Sequence, residues 1–308
     1  MTASGDLVFP LIPSRRRGTL DVAGRSSRRR GGGDEVAGTR PYRHGDPIRS
    51  VDWAASARLS TARGSDEFVV RDHFADDAVR VVLVVDRSSS MGLFPRGLPL
   101  LDKRAAVREA GGLIVASGLA ANALIGLVAV GEDGTTLVPG RRDRAQARAI
   151  GELLVPEVVA GPVDSVDNAL DALLRRTGIV PPGTFVFLLS DFLPPPASSR
   201  LHLALAAGWD VVPVVIQDPV WERSFPDVAG VTLPLVDPDD LSPALVRLSR
   251  KQAAARRALN EQRAKRLRAT LLGLGLDPVT ISSSARSHVH HAFLEWADMR
   301  QQRLRAAR

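Results

Sequence analysis

Two stretches of the chain are apolar almost without interruption and stop abruptly on an acid. Residues 79–91 read Val-Arg-Val-Val-Leu-Val-Val-Asp-Arg-Ser-Ser-Ser-Met, and residues 183–192 read Gly-Thr-Phe-Val-Phe-Leu-Leu-Ser-Asp-Phe. Continuous apolar residues, rather than alternation, suit strands covered on both faces, as in a parallel sheet between helix layers. Helical spacing recurs over 102–123, 144–155 and 166–176, with strands over 124–130 and 135–138 joined by the tight turn Glu132-Asp133-Gly134. Further on, the pattern predicts a short helix (198–207), strands over 209–217 and 230–236, a long Arg/Ala helix region (241–272), an edge strand (277–282) and a basic C-terminal helix with Phe293, Leu294 and Trp296 on its buried side. This alternation predicts an α/β fold: a mostly parallel sheet with helices on both faces.

In such sheets ligands sit beyond the carboxyl ends of the strands, where Asp86, Ser88 and Ser90 end one run and Asp191 ends the other. Carboxylates and hydroxyls are hard oxygen ligands, suited to Mg²⁺, Ca²⁺ or Mn²⁺. The simpler reading is that Asp86 and the serines cap a turn or a helix. Together the two runs resemble the von Willebrand factor A fold, which is Rossmann-like and in which Asp-x-Ser-x-Ser and a later strand-end Asp form a metal-ion-dependent adhesion site. That fold usually supplies a threonine before a helix like 166–176. Here the loop has Val163-Asp164-Ser165, which places Asp164 at the threonine position with Ser165 beside it. With Asp86 and Asp191, a third acid would over-neutralise a divalent ion and make a partner's carboxylate less welcome as the last ligand.

Composition narrows the classes. The 308 residues suffice for one large or two modest domains. There is no cysteine, which excludes disulfides and thiolate chemistry. No apolar run reaches about 18 residues, so no membrane span is expected. The net charge is +7, and only Lys103, Lys251 and Lys265 of the 41 basic residues are lysine. The basic runs 15–17 and 28–30 lie in Gly/Ser-rich sequence without aromatic interleaving, which favours a solvated, flexible leader over residues 1–33 and disfavours a nucleic-acid interface. His288, His290 and His291 lack the i, i+4 pairing of helical zinc sites.

Residues 34–78 are different in kind, reading as short extended pieces in which arginines and aspartates interleave, an ion-paired scaffold over a packed Trp53. Arg40-x-Tyr42-x-x-Gly45-Asp46-x-x-Arg49-x-x-Asp52-Trp53-x-x-Ser56-Ala57-Arg58 resembles the signature of the bacterial family called domain of unknown function 58. That family places the signature before a von Willebrand factor A-like domain. The resemblance implies a small β-rich subdomain (34–78), the α/β domain (79–286) and a C-terminal helix (287–308). It also implies an accessory protein, cytoplasmic or membrane-anchored, that works beside a MoxR-type AAA+ ATPase; without a membrane span, this chain is expected to be cytoplasmic. No Gly-x-x-x-x-Gly-Lys loop, Gly-x-Gly-x-x-Gly, Gly-x-Ser-x-Gly elbow or His-Glu-x-x-His occurs. The expectation is therefore a non-enzymatic interaction module with a metal-ion-dependent adhesion site for Mg²⁺, intact or degenerate. The alternatives are a Mg²⁺-dependent hydrolase using Asp86 and Asp191, and an arginine-rich nucleic-acid binder.

Overall fold

The structure, a computed structural model, describes residues 7–14, 30–42, 51–64, 68–74, 79–92, 101–154, 161–176, 180–236 and 243–306. It divides into two compact units, Arg15–Ala78 and a larger one made of Met1–Ser14 with Val79–Arg308.

In the smaller unit, β1 (Arg30–Pro41) precedes the helix α1 (Trp53–Arg63), and β2 (Val69–Phe74) pairs antiparallel with β1. The helix departs from the extended pieces expected over 51–58. Asp52 caps it by accepting a hydrogen bond from the Ala55 amide at 3.0 Å, and Gly64 closes it with φ 66°, a conformation glycine adopts without strain. Buried Ser56 ties helix to strand: its hydroxyl donates to the Asp52 carbonyl and accepts from the Val69 amide.

The larger unit continues with β3 (Arg80–Val85), α2 (Lys103–Ala120), β4 (Leu124–Gly131), β5 (Gly134–Arg141), α3 (Arg144–Leu153), α4 (Ser165–Leu174), β6 (Phe185–Ser190), α5 (Ser198–Ala206) and β7 (Asp210–Ile216). Then come the hairpin β8 (Thr232–Val236) and β9 (Pro243–Arg247), α6 (Arg250–Gly273), β10 (Val279–Ile281) and α7 (Arg286–Ala306). The main sheet runs β10-β7-β6-β3-β4-β5 and is parallel except for β5. Among the described residues β8 and β9 pair only with each other, so part of the expected long helix is strand. The helix begins at Arg250 because Ser249 and Gln252 form a reciprocal capping box.

Successive side chains of β3 serve opposite faces. Val81, Leu83 and Val85 join one core layer with α2, α3 and α7, and Val84 joins the other with α4, α5 and part of α6. This two-faced burial explains the unbroken apolar runs.

The expected flexible leader is corrected at residues 7–14. Phe9 and Ile12 are buried in the first core layer, and the Phe9 ring stacks on Phe293 at 4.5 Å and meets Trp296 edge-on at 5.8 Å. Arg300 of α7, fully buried, donates to the Ile12 carbonyl and pairs with Asp210 and Asp277. The C-terminal helix is accordingly packed into the larger unit's core through Phe293 and Trp296.

Candidate functional site

The chain leaves β3 for β4 on one side and later returns to β6 on the other, so strand order reverses between β3 and β6. The carboxyl ends flanking such a reversal diverge and leave a crevice. Asp86 follows β3 and Asp191 follows β6, and both are buried there.

Asp86 is held from both sides. Its Oδ1 accepts the Ser88 amide at 2.8 Å, and its Oδ2 accepts the Ser190 hydroxyl at 2.5 Å. Ser190 in turn accepts the Phe192 amide, at a residue with φ 55° that turns the backbone just past Asp191. Ser88 and Ser90, at the start of a single 3-10 turn (Ser89–Gly92), bring their hydroxyls within 3.2 Å of each other. Asp191 Oδ1 accepts the Leu193 amide at 3.0 Å, and the Asp191 carbonyl accepts Gln217 Nε2 at 2.6 Å.

The remaining oxygen of Asp191 faces a cation supplied by the chain. Lys103, the first residue of α2, extends its ammonium to Asp191 Oδ2 at 2.7 Å and to the Ser90 carbonyl at 3.0 Å, and it pairs with Glu222 Oε1. Three acceptors match the three donors of an ammonium. Glu222 is positioned by the Asp218 amide, which donates to its Oε2 at 2.8 Å. Helix α6 grips the same loop, since Asn260 Nδ2 donates to the Trp221 and Ser224 carbonyls and Arg263 donates to the Glu222 carbonyl. Asp218 Oδ1 accepts the Val220 and Trp221 amides, whereas its buried Oδ2 has no hydrogen-bond partner among the described residues.

The electrostatics follow from burying three carboxylates with one ammonium. Burial raises the Asp86 pKa and the Asp191 charge adds to the rise, against the hydrogen bonds from Ser190 and Ser88. Burial also raises the Glu222 pKa, opposed by Lys103 and reinforced by Asp191. For Lys103, burial favours the neutral form, but the Asp191 and Glu222 carboxylates outweigh it and hold the ammonium above its ordinary value.

Of the six residues expected to surround a divalent ion, Asp86, Ser88, Ser90 and Asp191 come together. Asp164 does not: it sits at the surface, where its carboxylate accepts Asn168 Nδ2 at 2.8 Å. Ser165 is fully buried beside the Asp86 loop, but its hydroxyl is spent on the Val130 carbonyl and the Arg87 amide. As arranged, the donors fit an ammonium, and among the described residues no group of three or more acids and histidines is placed to hold a metal ion. The sequence reading missed Lys103 and Glu222. The available signal was that Lys103 is one of only three lysines in an arginine-rich chain.

The signature residues sort differently. Asp52 and Ser56 build the junction of α1 with β2, and Arg40 pairs with Val70 in the β1 ladder. Arg58 donates to the Ala54 carbonyl of its own helix. Trp53, expected beneath an ionic scaffold, is 60% exposed and meets Phe68 edge-on at 6.0 Å, with Phe68 48% and Tyr42 36% exposed. Gly45, Asp46 and Arg49 lie outside the described residues, as does the Arg40 side chain. His290 hydrogen-bonds the Val8 carbonyl and His291 pairs with Glu295, so these two serve α7 and the segment on it.

The family model described as protein of unknown function DUF58 matches residues 38–269, from β1 to near the end of α6. The chain belongs to the DUF58 family. An uncharacterized protein of Mycobacterium tuberculosis is 31% identical over 258 residues, covering 80% of this chain and 76% of that protein, and one of Mycobacterium bovis matches to the same extent. Among solved structures, the open conformation of the pilus adhesin SpaC from Lactobacillus rhamnosus is similar at 14% identity and TM-score 0.43, covering 74% of this DUF58 chain but only 30% of the adhesin. An aerotolerance-related membrane protein from Bacteroides fragilis is similar at 15% identity and TM-score 0.38, covering 71% of this chain and all of that one. Among the described residues, no helix is long and apolar enough to cross a membrane.

Proposed function

We propose that this DUF58 protein is a non-enzymatic interaction module of von Willebrand factor A-like architecture, working beside a MoxR-type AAA+ ATPase in the assembly or maturation of a protein complex. The observation that carries the reading is the bridging of Ser90, Asp191 and Glu222 by Lys103. Groups that a hydrolase would turn toward substrate and water are here spent on one another. Such an edge is a rigid platform. The smaller unit adds an exposed aromatic surface of Trp53, Phe68 and Tyr42, the residue class enriched at protein interfaces.

The test is calorimetric titration of the purified full chain with the MoxR-type ATPase of the same bacterium. A saturable complex is expected, weakened about 30-fold or more by Trp53→Ala, as for an interface anchor worth about 2 kcal/mol. Trp53→Ala should change the melting temperature little, because the side chain is mostly exposed and meets Phe68 only edge-on. Absence of a complex, or phosphoester turnover by the protein that Asp191→Asn abolishes, would contradict the reading.

A further inference from the structure

We infer that Lys103 is the resident cation of the sheet edge, standing where an edge built from Asp-x-Ser-x-Ser and a second strand-end aspartate would otherwise take a divalent metal ion, and that this edge therefore works without metal. The inference deepens the interaction-module reading by specifying what its edge can bind.

Three observations converge on it. The first is placement: the ammonium lies between the turn after β3 and the end of β6, held by the Ser90 carbonyl and Asp191 Oδ2. An ion gathering the same acid and the same turn would need that position. Both charges cannot share it, since the Lys103 side chain is only 4% exposed and that of Asp191 is wholly buried.

The second is the commitment of the other donors. Both Asp86 oxygens and the second Asp191 oxygen accept hydrogen bonds from Ser88, Ser190 and Leu193. The Ser165 hydroxyl, the nearest substitute for the threonine such an edge employs, donates to the Val130 carbonyl. A metal would compete with these contacts for the oxygen lone pairs and would first have to expel the ammonium.

The third is Glu222. A metal-centred edge leaves its last position to an acid from a partner. Here the chain supplies that acid itself, on a loop fastened by Asn260 and Arg263 of α6. Glu222 is also the most exposed member of the trio, at 19%, and so covers Lys103 from the solvent side. The consequence for recognition is specific: a partner does not engage this edge through a metal-bridged carboxylate.

The test uses Mn²⁺ as probe, read by electron paramagnetic resonance on the full chain, with melting temperature measured with and without EDTA. Wild type should bind no Mn²⁺ at the edge, and EDTA should leave its melting temperature unchanged. Lys103→Ala vacates the position and should gain one bound Mn²⁺ per chain, lost again in Lys103→Ala/Asp191→Asn. Mn²⁺ binding by wild type that Asp86→Asn or Asp191→Asn abolishes would overturn the inference. So would a folded Lys103→Ala that gains no ion, since Lys103 would then be a buried lysine unrelated to a metal position. Wild-type Mn²⁺ binding that survives both aspartate substitutions lies elsewhere on the chain and leaves the edge metal-free, as inferred. Should Lys103→Ala not fold, the wild-type arm with Asp191→Asn decides alone. These outcomes are independent of ATPase binding, so the interaction-module reading can fail while this one holds, and the reverse.

Discussion

Lys103 is the residue on which the candidate site turns, and its environment predicts how the site responds to substitution and to pH. Removing one partner of a buried, hydrogen-bonded ion pair leaves the others unpaired and typically costs about 3–5 kcal/mol. Lys103→Met should therefore lose roughly that much in urea unfolding, and a loss within error would show that the pair with Asp191 does not form. Asp86 supplies the pH dependence. Its folded pKa is raised above 3.8, so between that value and the raised one the folded protein keeps a proton that the unfolded chain has released. Stability from this group falls as pH rises through that window, and Glu222 acts with the same sign. Asp86→Asn should flatten that part of the stability profile; an unchanged slope would reject the assignment. Asp86 and Asp191 were legible because each ends an apolar strand in a sheet whose ligand edge is fixed by topology. Lys103 was not, because a basic residue opening a helix ordinarily reads as solvated, and only the fold brings the start of α2 to Asp191.

Among elements, those with strong periodicity or continuous apolarity match their expected spans closely: β4 runs one residue past its predicted stretch to Gly131, α3 lies within its own, and α4 starts one residue early at Ser165. Helix α1 was missed because its sequence, Trp-Ala-Ala-Ser-Ala-Arg-Leu-Ser-Thr-Ala-Arg, carries little amphipathic pattern, so the local signs were its end residues, Asp52 and Gly64. Asp52→Ala should cost about 1 kcal/mol, the usual loss for an N-cap, measured by thermal or urea unfolding; a loss of several kcal/mol would instead support the buried ionic scaffold expected from the interleaved charges. Gly161 is the corresponding element-level constraint on the edge. It donates to the Arg87 carbonyl at 2.6 Å and bridges Ser88, and a Cβ there would lie 2.5 Å from that carbonyl oxygen. Gly161→Ala should destabilise the protein by about 1–3 kcal/mol, because backbone rather than a mobile side chain must give way.

At the scale of the whole molecule, the larger unit is assembled from chain segments that precede and follow the smaller one in sequence. Residues 7–14 pack against α7, nearly three hundred positions away, through Phe9 and the Arg300 bond to Ile12. No periodicity in eight residues announces such a contact, and the neighbouring arginine-rich sequence masked it; the α/β class and parallel sheet needed only local patterns and were readable throughout. Phe9→Ala should cost about 3–5 kcal/mol in urea unfolding, as for a buried aromatic. The same arrangement makes the sheet edge part of a packed core, with the Lys103 network sealed between β3, β6, α2 and the loop gripped by α6.

That sealed cation can be observed directly, because the chain has only three lysines. In protein labelled with ¹⁵N at lysine Nζ, the account predicts one ammonium resonance at neutral pH with slow solvent exchange, lost as a slow-exchanging signal in Asp191→Asn. Three ammonium groups exchanging alike, or a protected signal indifferent to Asp191→Asn, would contradict it.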